Sequence, residues 1–205
     1  MTAKKTIYII RHGQTDYNKN GIIQGRGIDS SLNDIGRNQA AKFYRAYHHV
    51  PFDSVYTSTL KRTHQSVKKF LAKGCSHTIL PALDEINWGD FEGLKGNAET
   101  QKIYQGIVED WSAGLLDRCV ENGETPNQVF RRQTEGLKEI LSKDEKNILI
   151  CMHGRAMRIF LCLLTNTPLH KMDQFRHSNL TLYVLVYDGE KFKLIKENCT
   201  KHLWI

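Results

Sequence analysis

The sequence lacks any apolar run long enough to cross a membrane. Its most apolar stretch, residues 148–164, is interrupted by His153, Arg155 and Arg158, whereas a spanning helix needs about 20 mostly apolar residues. The apolar run near the start, residues 7–10, is also shorter than the core of a secretory signal, which has about 7–15 residues. We therefore expect a cytoplasmic protein without a membrane partner.

Motifs of several common nucleophile and metal classes are also missing. The 5 cysteines are an odd number without CxxC spacing, which argues against a disulfide framework and a zinc site. None begins the C-x5-R loop of cysteine phosphatases, and the chain has neither a G-x-S-x-G turn nor a GxxxxGK loop. Apart from His12 and His153, the histidines, including His177, lack metal-ligand spacing. We interpret them as structural and expect no metal and no cofactor.

Long basic runs are absent, although the chain as a whole is basic. The formal net charge is +7 and the isoelectric point is near 9.1, which favours anionic partners. Lysine and arginine are scattered among acidic residues, with no basic run longer than two and no alternation with aromatic residues of the kind that stacks on bases. We therefore exclude nucleic acid and expect a small anionic ligand.

Apolar runs alternate with helical patterns, an order that predicts a mostly parallel sheet with helices on both faces. At 205 residues, the chain is long enough for one substantial core, and we expect a single domain over residues 1–205. The predicted fold is α/β, a three-layer α/β/α sandwich whose central sheet ends in an antiparallel edge hairpin. The predicted strands are residues 7–10, 55–58 and 148–152, and the hairpin is formed by 180–187 and 192–195.

Three polar residues are predicted to cap helices. Asn33 and Ser58 each precede an amphipathic pattern. Thr125, followed by Pro126, combines a capping box with proline at the first helical position. Residues 96–122 are the least regular part of the chain, and we interpret them as short helices that form a lid over the pocket.

Histidine and arginine side chains follow three of the predicted strands. Arg11 and His12 come directly after the first strand, Arg62 lies shortly after the second, and His153 ends the third. Ligands of open α/β sheets bind at the carboxyl ends of the strands, and arginine is suited to phosphate. A neutral imidazole can attack phosphorus without a separate base. We therefore predict that His12 is a nucleophile within a cationic phosphate site that needs no metal.

Further motifs occur around these residues in a recognisable order and spacing. They are Arg11 to Thr15, Asn18, Gln24-Gly25, Leu32 to Gly36, Gln39-Ala40, Ser58 to Gln65, Leu83 to Glu85, Gly89, Phe91 to Gly93, Gly123 to Thr125, and His153-Gly154. With this set, nearly the whole chain resembles the histidine phosphatases, also called the phosphoglycerate mutase-like superfamily, and in particular their phosphatase branch.

The resemblance implies roles for the motif residues. His12, Glu85 and His153 are expected to be catalytic, with Glu85 as the general acid, and we expect its apolar neighbours to favour the protonated carboxyl. The predicted phosphate-binding residues are Arg11, Asn18, Gln24, Gly25, Arg62 and Gly154. Asp84 is the rival general acid, and its alternative interpretation is an acidic residue that faces solvent. Glu124 is expected either to orient the substrate or to brace the arginines. Arg155 is interpreted either as an anion contact or as a surface charge.

Two reactions share a phosphohistidine: hydrolysis of a phosphomonoester, and phosphoryl transfer as in phosphoglycerate mutase. The lid is short and contributes only Lys102 and Arg118 as cations, which favours a histidine phosphatase of the acid or alkaline type acting on a small phosphorylated metabolite. Mutase activity is the first alternative, and an inactive phosphate-binding scaffold is the second. Exposed apolar residues of the lid or sheet edge would suit a homodimer, although no pattern requires one.

Overall fold

The computed structural model describes residues 4–204, and a 6-stranded sheet forms its centre. The strands are β1 (Lys5–Arg11), β2 (Ser54–Thr57), β3 (Ser76–Ile79), β4 (Asn147–Met152), β5 (Leu182–Tyr187) and β6 (Phe192–Cys199). Their order across the sheet is β3-β2-β4-β1-β5-β6. The first four strands in this order run parallel to one another, while β5 is antiparallel to β1 and to β6. The predicted mostly parallel sheet and antiparallel edge hairpin are therefore confirmed.

Helices cover both faces of the sheet. They are α1 (Asp16–Lys19), α2 (Asp34–Tyr47), α3 (Lys61–Leu71), α4 (Ala98–Ser112), α5 (Pro126–Ser142) and α6 (Gly154–Thr165). Short 3₁₀ turns occur at Pro81–Leu83, Gly89–Phe91, Leu169–Gln174 and Lys201–Leu203. Phe43 of α2 and Phe70 of α3 belong to the core on one face, whereas Trp111 of α4, Ile140 of α5 and Phe160 of α6 belong to the core on the other. The expected three layers are present.

Two of the three predicted helix caps are confirmed. The side chain of Asn33 accepts from the backbone N–H of Gly36 at the start of α2. Thr125 forms the predicted capping box with Gln128, and Pro126 is the first residue of α5. Ser58 is not a cap, because α3 begins at Lys61 with Leu60 as its N-cap residue.

Two other regions differ from the sequence-based expectation. Strand β3 was not predicted, because its residues Ser-His-Thr-Ile are mostly exposed at the sheet edge and carry little apolar alternation. The lid segment is not a set of short helices: α4 is a single helix of 15 residues, and Asn97 starts it with a capping box to Thr100. One wall of the pocket is therefore a regular helix.

Candidate active site

The predicted site residues meet at the carboxyl edge of the sheet. Strands β1 and β4 pair in a register that places Arg11 opposite Met152. Each strand is followed by a histidine, so His12 and His153 lie side by side, with ring centroids 5.1 Å apart. A cavity of about 450 Å³ opens beside His12. The strand register, which is long-range, thus assembles the two histidines that the sequence separates by more than half of the chain.

His12 has the geometry of a neutral nucleophile. Its Nδ1 lies 2.7 Å from the carbonyl oxygen of Gly13, and because a carbonyl can only accept, Nδ1 carries the proton. The lone pair of Nε2 is then free, and His12 lines the cavity. Burial, followed by the positive charges of Arg62 and Arg11, holds the pKa of His12 well below 6.5. The imidazole is therefore unprotonated at physiological pH.

Arg11 supplies an open hydrogen-bond donor in the same cavity. Its Nη1 lies 3.3 Å from Nδ1 of His177, while its Nε is buried and has no partner among residues 4–204. An unpaired buried donor is unfavourable. A phosphoryl oxygen in the cavity would satisfy it with a charge-assisted hydrogen bond.

Arg62 contacts His153, the neighbour of His12, and both are fully buried. Arg62 is fully buried and donates from Nε to Nδ1 of His153 (3.2 Å), from Nη1 to the carbonyl of Ile28 (2.6 Å) and from Nη2 to the carbonyl of Gly25 (3.2 Å). Nε2 of His153 therefore carries the proton and donates to Oγ of Ser58 at 2.7 Å. Arg62, His153 and Gly25 do not line the cavity. Their direct contact with phosphate stays a prediction.

Burial does not remove the charge of Arg62. It lowers the pKa of the guanidinium to about 10, so the side chain is still a cation at neutral pH. Burial also lowers the pKa of His153 well below 6.5, with Arg62 as the next cause. The site therefore combines neutral imidazoles with arginine cations.

Glu85 lines the cavity and caps a helix that starts beside His12. Its Oε1 accepts from the backbone N–H groups of Ile86 (3.0 Å) and Ala156 (2.8 Å), and its Oε2 accepts from that of Arg155 (3.1 Å). Two of these donors belong to the first turn of α6, where N–H groups lack partners within the helix. The surroundings of Glu85 are therefore not only the apolar ones expected from the sequence, because three backbone N–H groups also contact its carboxyl group.

The main chain of Glu85 is also held in place. Arg132 donates from Nη2 to the carbonyl of Glu85 at 3.2 Å and from Nη1 to that of Ala82 at 2.7 Å. Glu124 accepts from Arg132 through both carboxylate oxygens, at 2.8 and 3.0 Å. Glu124 therefore braces an arginine, but that arginine is Arg132, which holds the main chain of Glu85, and not one of the predicted phosphate-binding arginines.

Asp84, the rival acid, is buried but lies outside the cavity. Its Oδ1 accepts from the backbone N–H and the hydroxyl of Thr59, both at 2.8 Å, and its Oδ2 lies 3.5 Å from Arg26. The expectation that it would otherwise face solvent is wrong, since these partners hold it inside the protein. This geometry leaves Glu85 as the acid at the cavity.

Asn18, Gln24 and Gly154 also line the cavity, and the two amide side chains differ in how many of their atoms already have a hydrogen-bond partner. Gln24 is engaged at both ends of its amide, with Thr15 at 2.8 Å and Ser30 at 2.6 Å. Asn18 accepts through Oδ1 from Asn179 and from the backbone N–H of Thr15, both at 3.2 Å. The amide nitrogen of Asn18 has no partner among the described residues. Gly154 lines the cavity as the first residue of α6.

Several cavity residues were not predicted. His177 and Arg158 line the cavity, and so do Thr100, Gln101 and Tyr104 of α4. Arg158 could have been predicted from the sequence, because it lies three residues after Arg155 on the helix that follows His153 and therefore on the same helix face. His177 carried no such signal, because it lies in the loop before β5. Arg155 is buried and also lines the cavity, so it is not a surface charge.

Comparison with known proteins agrees with this geometry. The model of the histidine phosphatase superfamily, branch 1, matches residues 7–200. The chain belongs to this superfamily. Among its relatives, a broad-specificity phosphatase of Saccharomyces cerevisiae is 29% identical over 215 aligned residues, which cover 96% of this chain and 86% of that protein. Phosphoglycerate mutase-like protein 4 of Arabidopsis thaliana is 28% identical over 202 residues, with the same coverage, 96% and 86%.

Solved structures show the same fold. A mycobacterial glucosyl-3-phosphoglycerate phosphatase superposes with a TM-score of 0.85 at 21% identity, covering 96% of this chain and 100% of that one. Within residues 4–204, no helix is long and apolar enough to span a membrane. The same residues contain no group of three or more histidine, cysteine or acidic side chains placed to hold a metal ion.

Proposed function

We propose that this protein is a phosphomonoester hydrolase that acts without a metal through a phosphohistidine at His12. The observation that carries the proposal is the pairing in one cavity of a neutral His12 with Arg11, since Nε2 of His12 and Nε of Arg11 both lack a hydrogen-bond partner within residues 4–204. Phosphoryl transfer depends mainly on positioning and on positive charge around the phosphoryl oxygens. Arg11 provides that charge in the cavity, and the charge of the buried Arg62 also acts on His12.

In the first step, the lone pair of Nε2 on His12 forms an N–P bond while the P–O bond to the leaving alcohol breaks. The alcohol oxygen takes a proton from the carboxyl group of Glu85. We propose that Glu85 takes up this proton together with the substrate. Two neighbouring anionic groups share a proton readily, and we propose that the bound phosphoryl group and Glu85 form such a pair.

In the second step, a water molecule attacks phosphorus. A new P–O bond forms, the N–P bond breaks, and the electron pair returns to Nε2 of His12. Glu85, which is now charged, accepts the proton of the attacking water. Release of inorganic phosphate, together with the proton that Glu85 accepted, restores the starting state.

The lid supports hydrolysis over mutase activity. Helix α4 contributes Thr100, Gln101 and Tyr104 to the cavity, and none of them is a cation. Lys102 and Arg118 instead line a separate groove, where Arg118 pairs with Asp110 at 2.6 Å. The cationic lid residues that would grip a bisphosphorylated substrate therefore lie away from the site.

Phosphate release from a panel of small phosphomonoesters, measured with EDTA present, tests this proposal. We expect turnover by the wild-type chain and by His49→Ala, which changes an exposed histidine, and none above background by His12→Ala. Equal rates for wild type and His12→Ala, or complete loss of activity in EDTA, would contradict it. Efficient conversion of 3- to 2-phosphoglycerate that 2,3-bisphosphoglycerate stimulates would favour the mutase instead.

A further inference from the structure

The cavity has a second cationic region, away from the motif residues. Helix α6 begins at Gly154 beside His12, and its residues Arg155 and Arg158 both line the cavity. They are three apart and therefore neighbours on the helix surface. The wall of the cavity thus continues from the phosphoryl end into a pair of guanidinium groups.

These two arginines share one carboxylate. Arg155 donates from Nη1 to Oδ1 of Asp173 at 2.7 Å, and Arg158 pairs with the same oxygen. Their other recorded partners are neutral: the hydroxyl of Tyr104 lies 3.1 Å from Arg155, and the carbonyl of Phe175 lies 3.1 Å from Arg158. Two positive charges therefore meet one negative charge, and one positive charge is left uncompensated.

Glu85 does not remove the surplus. It is the one acidic side chain among the described residues that line the cavity, and it acts electrostatically on Arg11 as well as on Arg158. With Asp173 included, three guanidinium groups therefore meet two carboxylates. His177 lies near Arg11, Arg155 and Arg158, and burial together with these charges lowers its pKa to about 2. It is therefore neutral. A partly buried cation without a counterion is unfavourable, so this region favours an anion from the ligand.

Arg158 is the more accessible of the two arginines. Its side chain is 20% exposed, against 6% for Arg155. Arg155 is also packed over the ring of Trp111, with its guanidinium carbon 5.3 Å from the ring centroid. No hydrogen bond within residues 4–204 reaches Nη2 of Arg158. Arg155 is thus fixed by its partners, while Arg158 retains a donor for a ligand.

We propose that Arg158, supported by Arg155, is a subsite for a carboxylate on the alcohol half of the substrate. The substrate class is then the phosphomonoesters of hydroxy acids, with the phosphoryl group at His12 and the carboxylate at Arg158. One surplus charge matches one carboxylate better than a second phosphate dianion. This inference rests on the proposed function in that the phosphoryl group occupies the His12 end of the cavity.

A matched pair of ligands tests the subsite. 3-Phosphoglycerate and glycerol 3-phosphate carry the same phosphoryl group and differ in a carboxylate against a hydroxymethyl group. Binding is measured by calorimetry to the full chain carrying His12→Asn, which prevents turnover. A hydrogen bond to a charged group predicts that 3-phosphoglycerate binds about 10- to 100-fold more tightly. Equal affinities for the two ligands would overturn the proposal.

Two further substitutions, added to His12→Asn, separate recognition from structure. Arg158→Gln is expected to reduce the preference for 3-phosphoglycerate about ten-fold or more, while Arg131→Gln, at an exposed position of α5, leaves it unchanged. Asp173→Asn removes the shared negative charge and is expected to increase the preference. A purely structural role for these residues predicts similar losses for both ligands in Arg158→Gln and Asp173→Asn, and that result would overturn the proposal.

The readouts distinguish failure of this inference from failure of the proposed function. If no monoester releases phosphate but 3-phosphoglycerate still binds preferentially through Arg158, the subsite stands and hydrolysis does not. If the wild-type chain hydrolyses glycerol 3-phosphate and 3-phosphoglycerate with equal kcat/KM, hydrolysis stands and the subsite does not.

Discussion

Replacement of Glu85 by glutamine tests the assignment of the general acid in two independent ways. The substitution keeps the size of the side chain but removes its ability to donate a proton to the leaving alcohol. It also leaves only one oxygen to serve the N–H groups of Ile86, Arg155 and Ala156. An amide NH₂ group then faces at least one backbone donor.

The structural cost follows from that mismatch. A buried donor left without an acceptor costs about 1–3 kcal/mol. For a chain of this size, each kcal/mol lowers Tm by about 2–4 °C. We therefore expect Glu85→Gln to unfold several degrees below the wild type, as measured by circular dichroism, while still folding at room temperature.

The catalytic effect depends on the leaving group. Loss of a general acid lowers the rate about 10²- to 10⁴-fold for alkyl phosphates, whose alkoxide needs a proton. p-Nitrophenolate is a stable leaving group that needs none, so Glu85→Gln is expected to form the phosphohistidine from p-nitrophenyl phosphate nearly as fast as the wild type. Its second step lacks a base. The predicted result in stopped flow is a burst of one equivalent of p-nitrophenolate, followed by slow turnover.

Asp84→Asn is the matched control, because it makes the same chemical change at the adjacent buried residue, whose partners are Thr59 and Arg26. It is expected to lower stability without any dependence on the leaving group. Equal slowing of alkyl and p-nitrophenyl phosphates by Glu85→Gln, with no burst, would refute the role of Glu85. A leaving-group dependence in Asp84→Asn would transfer that role to Asp84.

Three more predictions concern His12, Gly154 and Thr125. Because the pKa of His12 lies well below 6.5, kcat/KM, corrected for ionisation of the substrate, should not fall between about pH 7 and pH 5.5; a fall with a midpoint at the ordinary histidine value of ~6.5 would contradict the neutral nucleophile. Gly154→Ala places a Cβ 2.7 Å from Cε1 of His177 and 3.4 Å from Nε of Arg11. We therefore expect lower kcat/KM with little change in Tm. An unchanged kcat/KM would contradict the inference that the space beside Gly154 is part of the active site. Thr125→Ala removes the cap of α5 and should lower the free energy of unfolding by about 1 kcal/mol in urea titration, with kcat/KM unchanged; an unchanged unfolding midpoint would argue against the cap.

Local sequence signals were sufficient for much of the sheet and for two helix starts. The apolar runs of β1 and β4 are continuous because both strands are buried in the centre of the sheet, and such runs identify buried strands well. The caps at Asn33 and Thr125 depend on residues within three positions. In each case, the information lies next to the element that it defines.

The features that were missed depend on distant parts of the chain. Ser58 precedes a helix, as an N-cap residue would. Its hydroxyl instead lies 2.7 Å from Nε2 of His153, which follows β4 and is distant in the sequence. The three N–H donors around Glu85 include two from the start of α6. His177 reaches the cavity because the loop before β5 passes Arg11. None of these contacts has a signature in local spacing.

The most direct test of the account is to identify the phosphorylated residue. Brief reaction of Glu85→Gln with p-nitrophenyl phosphate, a quench in alkali that preserves phosphohistidine, and peptide mass spectrometry locate the label. We predict a phosphoryl group on His12, at Nε2, in one equivalent per chain, and its absence in His12→Asn. A label on His153, or turnover by the wild-type chain with no phosphorylated histidine at any time point, would contradict the mechanism.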